Sequence, residues 1–468
     1  MQVEKTRFAL FFGNRGFFPG SLMASARKEL DERLKQLGHD TLIMDAAATR
    51  HGAVETPEEG RKYAKWLEQH RGQFGGVILS LPNFGDETGA IAALKDAGVP
   101  ILVQAYPDEM DKMAPESRRD SFCGKFSIMD VFCQYGLKFT ALQPHVVSPS
   151  SDRFAQNVDE FDRVCRVVNG MRDLTVGAVG ARTTAFKTVR IDEIALQRHG
   201  ITMETLDLSD IFARMNAVNL SQDAAKAKAV RLKGYTSWAD VPGEAFEKLV
   251  KLGVALDQVT DEFKLDALGL RCWIEMQQHL DLSPCVLVSE MNDRGIPCAC
   301  EVDIGNAVTM AAMRMASGEA TTCLDWNNNY GEADDKCILF HCGPVPTSLM
   351  TDKGKVVGHK ILQNAIPGAS CWGCCVGRIR PNTFTYGSML TEKGKLRFYL
   401  GQGKFTEDTI PEDFFGCGGV AQIEGLQSVL QDIGYAGYRH HTSVTPGKVA
   451  EPLAHAFDHY LGFKVKRF

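Results

Sequence analysis

Arg7-Phe8-Ala9-Leu10-Phe11-Phe12-Gly13 decides the fold class. The apolar run has no period-two alternation, so a strand built from it is buried on both faces. The chain then repeats the pattern. Ser21 to Leu37 has helical periodicity and stops at Gly38. Thr41-Leu42-Ile43-Met44 reads as a strand and Pro57 to Arg71 as a helix. Gly76 to Leu81 is a third strand, Asp86 to Ala97 a helix, and Val99 to Val103 a fourth strand. Continuously apolar strands separated by helices predict a parallel sheet with helices on both faces.

The pattern restarts after Ser148-Pro149-Ser150-Ser151, which sets a first α/β domain at 1–150. In 151–318, Leu174 to Gly180 and Ile201 to Leu206 read as strands around a helix near Thr184 to His199. Helices fill 221–278, and Cys285 to Ser289 reads as a further strand. This is a second doubly wound, Rossmann-like α/β domain. The texture changes in 319–468. Cys337 to His341 is a short strand, and Thr383–Leu390 with Lys395–Leu400 forms a hairpin around Thr391-Glu392-Lys393-Gly394. A helix from Pro446 to Leu461 closes the chain. The third domain is therefore read as an antiparallel sheet or barrel.

Composition narrows the function. A chain of 468 residues is too long for one core. A net charge of −6 without a basic stripe argues against nucleic acid as a partner. The start, Met1 to Arg7, has no apolar signal core, and no apolar stretch is long enough to span a bilayer. Fourteen cysteines without a signal peptide read as reduced thiols of a cytoplasmic protein. Cys371-Trp372-Gly373-Cys374-Cys375 lacks a second pair and is read as a buried turn, since structural zinc needs four closed ligands.

Three residues carry the chemistry. Glu301 sits in Ala299-Cys300-Glu301-Val302-Asp303 before a helix. Asp325 follows in Leu324-Asp325-Trp326-Asn327-Asn328-Asn329, and His441 stands in His440-His441-Thr442. Each alone reads as a surface charge, a turn residue or a cap. Brought together, which only a family resemblance argues for, two carboxylates and one imidazole would make a hard, partly open site that suits Mn²⁺ or Mg²⁺ better than zinc.

Cys285 to Glu290, Asn292-Asp293-Arg294-Gly295-Ile296-Pro297 and Cys300-Glu301-Val302-Asp303 resemble the L-fucose/L-arabinose isomerase superfamily. The resemblance runs along the whole chain and is strongest over 283–345; the 343–420 stretch follows neither branch closely. It implies an aldose–ketose isomerase acting on a sugar or sugar derivative through a metal-stabilised cis-enediol. Glu301, Asp325 and His441 are then the metal ligands, with Mn²⁺ the expected ion and Mg²⁺ or Co²⁺ alternatives. Glu301 and Asp325 also carry the proton transfers. An additional histidine near the position of His341 is a ligand in the arabinose branch only, so His341 is read as ligand or neighbouring donor. The resemblance further implies a homo-oligomer, hexamer or trimer, whose first domain lines a neighbour's site. Arg15, in the turn Asn14 to Pro19, is the residue expected to reach it.

Arg182, Asn327 and His440 complete the expected substrate contacts, Arg182 from the strand-to-helix turn Gly177 to Thr184. That turn matches neither glycine fingerprint for nucleotides. Two rival classes are a non-catalytic sugar-binding protein of α/β architecture and an NAD-dependent oxidoreductase. The missing fingerprint counts against the second. Arginines at turns leave an anionic sugar derivative open as substrate.

Overall fold

The computed structural model describes residues 4–468 and divides them into two compact units. The first runs to Asn169 and includes His459–Leu461; the second comprises Gly170–Asp458 and Gly462–Phe468.

The first unit holds a four-stranded parallel sheet of β1 (Phe8–Phe12), β2 (Thr41–Ile43), β3 (Gly76–Leu81) and β4 (Ile101–Ala105), in the order β2-β1-β3-β4. Every residue of β1, β3 and β4 is buried, as the unbroken apolar runs require. The helix Leu22–Gln36 buries Met23, Ala26, Leu30 and Leu34, one stripe of a 3.6-residue period. Thr56 caps the next helix, Pro57–Gln69, by accepting the Glu59 N–H, and Pro57 begins it where no donor is needed.

The second unit opens with another parallel sheet: β5 (Leu174–Val179), β6 (Ile201–Leu206), β7 (Ala267–Leu270) and β8 (Cys298–Cys300), in the order β6-β5-β7-β8. Two expectations fail here. Cys285 to Ser289 is not a strand but part of a helix, Cys285–Asp293. Cys285 through Asn292 are all buried, so the helical period is invisible in the sequence. Thr184 to His199 is mostly irregular; its only α-helix is Glu193–Gln197, started by the Asp192 cap.

The rest forms a nine-stranded mixed sheet of β9 (Thr322–Asn329), β10 (Lys336–His341), β11 (Lys355–Gly358), β12 (Trp372–Arg378), β13 (Asn382–Glu392), β14 (Lys395–Phe405), β15 (Cys417–Gln422), β16 (His441–Pro446) and β17 (Lys464–Arg467). The order is β11-β12-β15-β10-β9-β16-β13-β14-β17, with β15 also pairing β14. The expected hairpin is β13–β14, paired over eleven positions from Asn382↔Phe405 to Glu392↔Lys395. The predicted closing helix is corrected. His441–Pro446 is a strand, and the chain turns helical only at Ala450–Ala454 and Leu461 ends a wider π turn.

One continuous core joins the two sheets of this unit. Val179, Leu268 and Leu270 of the parallel sheet pack in the same cluster as Leu339, Phe384 and Tyr399 of the mixed one. Burying each such side chain stabilises by about 1.5–3 kcal/mol, so the strand ends above this core are held firmly. Among the described residues no helix is long and apolar enough to cross a membrane.

Candidate active site

Glu301 is the first residue beyond β8. Both Glu301 (φ +62°) and Val302 (φ +59°) are in the left-handed region. For a β-branched valine that conformation is strained, and such strain collects at functional sites. The kink is fixed on both sides. Val302 N–H donates to Leu270 O, and Asp303 N–H to Cys300 O. Asp303 then caps the helix Ile304–Ser317 through the Asn306 N–H. Gly269 permits the turn, because a Cβ there would meet Val302 backbone at 3.1 Å. The result is a carboxylate carried out over the end of the parallel sheet.

The mixed sheet supplies the partners. His441 lies directly opposite Asp325 in the antiparallel pair of β16 and β9, and Phe340 faces Asp325 from β10. Cross-strand neighbours project from the same face. His441 Nε2 is 3.0 Å from Glu301 Oε2 and 3.4 Å from Asp325 Oδ1. His341 Nε2 is 3.9 Å from Glu301 Oε2, and His440 Nε2 is 3.8 Å from Asp325 Oδ1. Glu301, His341 and His441 form one group with metal-ligand spacing; Asp325, His440 and His441 form another.

Three atoms in this cluster are buried without a hydrogen bond: Glu301 Oε2, Asp325 Oδ1 and His341 Nε2. Leaving one buried polar group unpaired costs about 1–3 kcal/mol. The two carboxylate oxygens, with His441 Nε2 3.0 and 3.4 Å from them, make a donor set that suits a hard divalent cation. The residues therefore fit a resident metal.

Electrostatics favour the same reading. Burial alone would raise the Glu301 carboxyl, but His441 at close range, His341 and the Trp273 N–H bring it down to about 2. Burial would also discharge His441; Cys323, Asp303 and Glu301 around it outweigh that and push it well above the ordinary imidazole range.

The two central histidines differ at Nδ1. In His441 it contacts Asp303 Oδ2 at 2.8 Å. In His341 it accepts the Cys342 N–H at 2.9 Å, which places the ring proton on Nε2. His441 can thus offer a bare Nε2 to a metal, while His341 presents a donor.

A cavity of about 300 Å³ adjoins the cluster, lined by Glu301, Asp325, His341, His359, Trp273 and Cys342 among others. Trp273 donates from Nε1 to Glu301 Oε1 at 3.2 Å. Phe186 packs against Trp273, His440 and His441, with ring centres 5.5–5.7 Å apart. His359 is held neutral by burial, its pKa near 4. A larger cleft of about 540 Å³ near Lys355, Arg378 and Glu412 contains none of the cluster.

Glu301, Asp325, His341, His440 and His441 thus come together. Arg182 does not line the cavity; it donates to the Thr183 and Thr184 carbonyls of its own turn. That turn serves the site through Phe186 instead. Asn327 is exposed on β9 beside a bulge, its amide bonded to Asn328. Arg15 is in the other unit, where it pairs with Glu87, donates to Gly85 O at 2.8 Å and stacks over Phe84. Sequence reasoning missed Asp303, Trp273, His359, Phe186 and Arg439. Only Asp303 carried a signal, as a helix-cap aspartate two residues past Glu301.

Residues 9–172 match the fucose/sulfoquinovose isomerase N-terminal domain, and residues 339–468 match the L-fucose isomerase C-terminal domain. The chain belongs to the L-fucose isomerase superfamily. It resembles the sulfoquinovose isomerase of Priestia aryabhattai, 23% identical over 292 residues, covering 62% of this chain and 64% of that protein. The sulfoquinovose isomerase of Clostridium sp. is 24% identical over 311 residues, covering 65% and 67%. The match to the first relative thus spans just under two thirds of that protein's length. A solved periplasmic solute-binding protein from Actinobacillus succinogenes with bound D-allose covers 67% of this chain at 13% identity, but its TM-score of 0.18 carries no argument.

Proposed function

We propose that this protein is a metal-dependent aldose–ketose isomerase. One observation carries the reading: Glu301 Oε2 and Asp325 Oδ1 are buried, unpaired, and converge with His441 Nε2 beside a cavity of sugar size. Glu301, Asp325 and His441 would hold the ion, Mn²⁺ first and Mg²⁺ or Co²⁺ next, as hard ligands prefer. When bound, the ion supplies Lewis-acid polarisation of a carbonyl.

The chain's own groups do the rest. Glu301, kept ionised by His441, His341 and the Trp273 N–H, would take a proton from the sugar carbon next to the carbonyl and return it to the neighbouring carbon. Asp325, anchored on β9, exchanges protons with the sugar oxygens. His341 donates from Nε2 to a substrate oxygen. Phe186 and Trp273 wall the cluster from water, and the Trp273 N–H fixes Glu301 Oε1 so that Oε2 turns toward Asp325 and His441.

The relatives' name points to a sulfonated aldose as the first substrate to try. Among the residues that line the cavity none is a lysine or arginine, so a sulfonate's counter-charge would come from elsewhere. Arg15 of a neighbouring subunit in a hexamer or trimer fills that role in our reading. We also read the extra β14–β15 pairing as closing part of the mixed sheet into a barrel. All fourteen cysteines are free thiols, which supports a cytoplasmic setting.

The test is turnover of sulfoquinovose and of neutral aldoses by chelated protein given back Mn²⁺, with no nicotinamide. Ketose formation only with metal supports the reading. Binding without turnover of any aldose sinks it. Mixing Arg15→Ala with Glu301→Gln subunits tests the shared site: partial recovery of activity is expected, and none from subunits shown to exchange counts against it.

A further inference from the structure

Asp303 is fully buried and takes four donors on its carboxylate. Oδ1 receives Arg439 and the Asn306 N–H at 3.0 Å; Oδ2 receives the Asn306 side-chain amide at 2.7 Å and His441 Nδ1 at 2.8 Å. Arg439 is itself buried, two residues before His441. Its approach depends on Gly305, where a Cβ would stand 2.6 Å from the guanidinium and 2.7 Å from Met389 O. A buried carboxylate fixed this firmly cannot turn.

We propose that Asp303 is a positioning residue: clamped by Arg439 and the first helical turn, it receives the Nδ1 proton of His441 and so aims a bare Nε2 at Glu301 and Asp325. This rests on the metal reading above. A carboxylate behind a metal-bound imidazole fixes the ring's tautomer and orientation and raises its basicity as a ligand. Here the chain builds that arrangement from two distant segments, Glu301-Val302-Asp303 and Arg439-His440-His441, each carrying one ligand and one support.

Asp303→Asn is the informative change, because asparagine keeps the helix cap and the volume. Arg439 and the Asn306 N–H both donate to Oδ1, so the new side chain turns its oxygen there and its amino group to His441, and the Asn306 side-chain amide must flip to present its oxygen. Nδ1 then becomes the acceptor, and the ring proton moves to Nε2, where it blocks the metal.

The experiment measures Mn²⁺ affinity from the free-ion electron paramagnetic resonance signal. Circular dichroism of the metal-free proteins serves as the folding control. The expected result is a Kd about 10–100-fold weaker for Asp303→Asn. In Mg²⁺-loaded wild type, ¹⁵N spectra of the histidine rings should show His441 protonated at Nδ1 and bare at Nε2. A merely structural role would leave that signature unmoved in Asp303→Asn; the tautomer role reverses it. Unchanged Mn²⁺ affinity in Asp303→Asn overturns the inference. So does an unprotonated Nδ1 in the loaded wild type, which needs no variant to fold. Wild type that binds no Mn²⁺ fails earlier, at the metal reading.

Discussion

The carboxyl ends of the two four-stranded parallel sheets hold similar buried polar residues and treat them in opposite ways. Beyond β1 and β3, Asn14 donates to Glu55 and Asn83 donates to Asn14, while within the last residues of β3 and β4 Ser80 donates to Gln104 and Gln104 to Val147 O. The groups answer one another. Beyond β7 and β8, Glu301 Oε2 is left without a hydrogen bond, and Asp325 Oδ1 and His341 Nε2 are brought to it in the same state. Both edges are buried polar clusters over parallel strands, where ligands commonly bind. Burial and polarity alone therefore do not mark a site. What separates them is the balance of donors and acceptors: a cluster that closes on itself is scaffold, and one with convergent unanswered atoms awaits a ligand.

Removing the ligand attacks that distinction most directly. Chelation should abolish turnover, and Mn²⁺ should restore it better than Zn²⁺; full activity in metal-free protein would break the comparison. Next, Glu301→Gln should lower kcat by about 10²–10⁴-fold, the usual worth of a positioned base, with the far-ultraviolet spectrum unchanged. A variant near wild-type rate would remove Glu301 from the proton transfers.

Smaller effects sharpen the contrast. His359 on the cavity wall has a folded pKa near 4 against about 6.5 unfolded. The unfolded chain therefore binds the proton first, so stability rises with pH between about 4 and 6.5 and is flat above. The swing is on the order of 3 kcal/mol from this group. His359→Gln should flatten it in urea melts across that window; an unchanged slope would show that His359 is not held neutral. At the closed edge, Asn83→Ala should cost about 1–3 kcal/mol of stability, the penalty for orphaned buried partners, and leave Mn²⁺ affinity alone. A loss of affinity with stability intact would mean that this edge too is a site.

The strands were legible where one physical demand ruled the local sequence. Phe8 to Phe12 must be buried on both faces, so its unbroken apolar run names a central parallel strand. Tyr386 and Tyr399 lie on a hairpin announced by Thr391-Glu392-Lys393-Gly394. Legibility failed where burial was complete. Cys285 to Asn292 shows no period because the whole helix is enclosed, and a short apolar run then reads equally well as a strand. The stretch after Gly180 misled differently: a helix was expected, but its work is to carry Phe186 to the histidines.

The sequence by itself determined the residue types of the site and its family. Glu301, Asp325 and the His440-His441 pair have chemistry that few roles share, and chemistry is written in the residue. Only the tertiary structure decided which of the predicted contacts meet. It turned Arg182 back onto its own carbonyls, left Asn327 at an exposed bulge, and set Arg15 on Glu87. It also chose the supports, Asp303 from a helix cap and Arg439 from the approach to β16. The reason is physical: a ligand is specified by its own side chain, whereas a support is specified by distances between segments far apart in sequence, and those exist only once the shared core has fixed both strand ends.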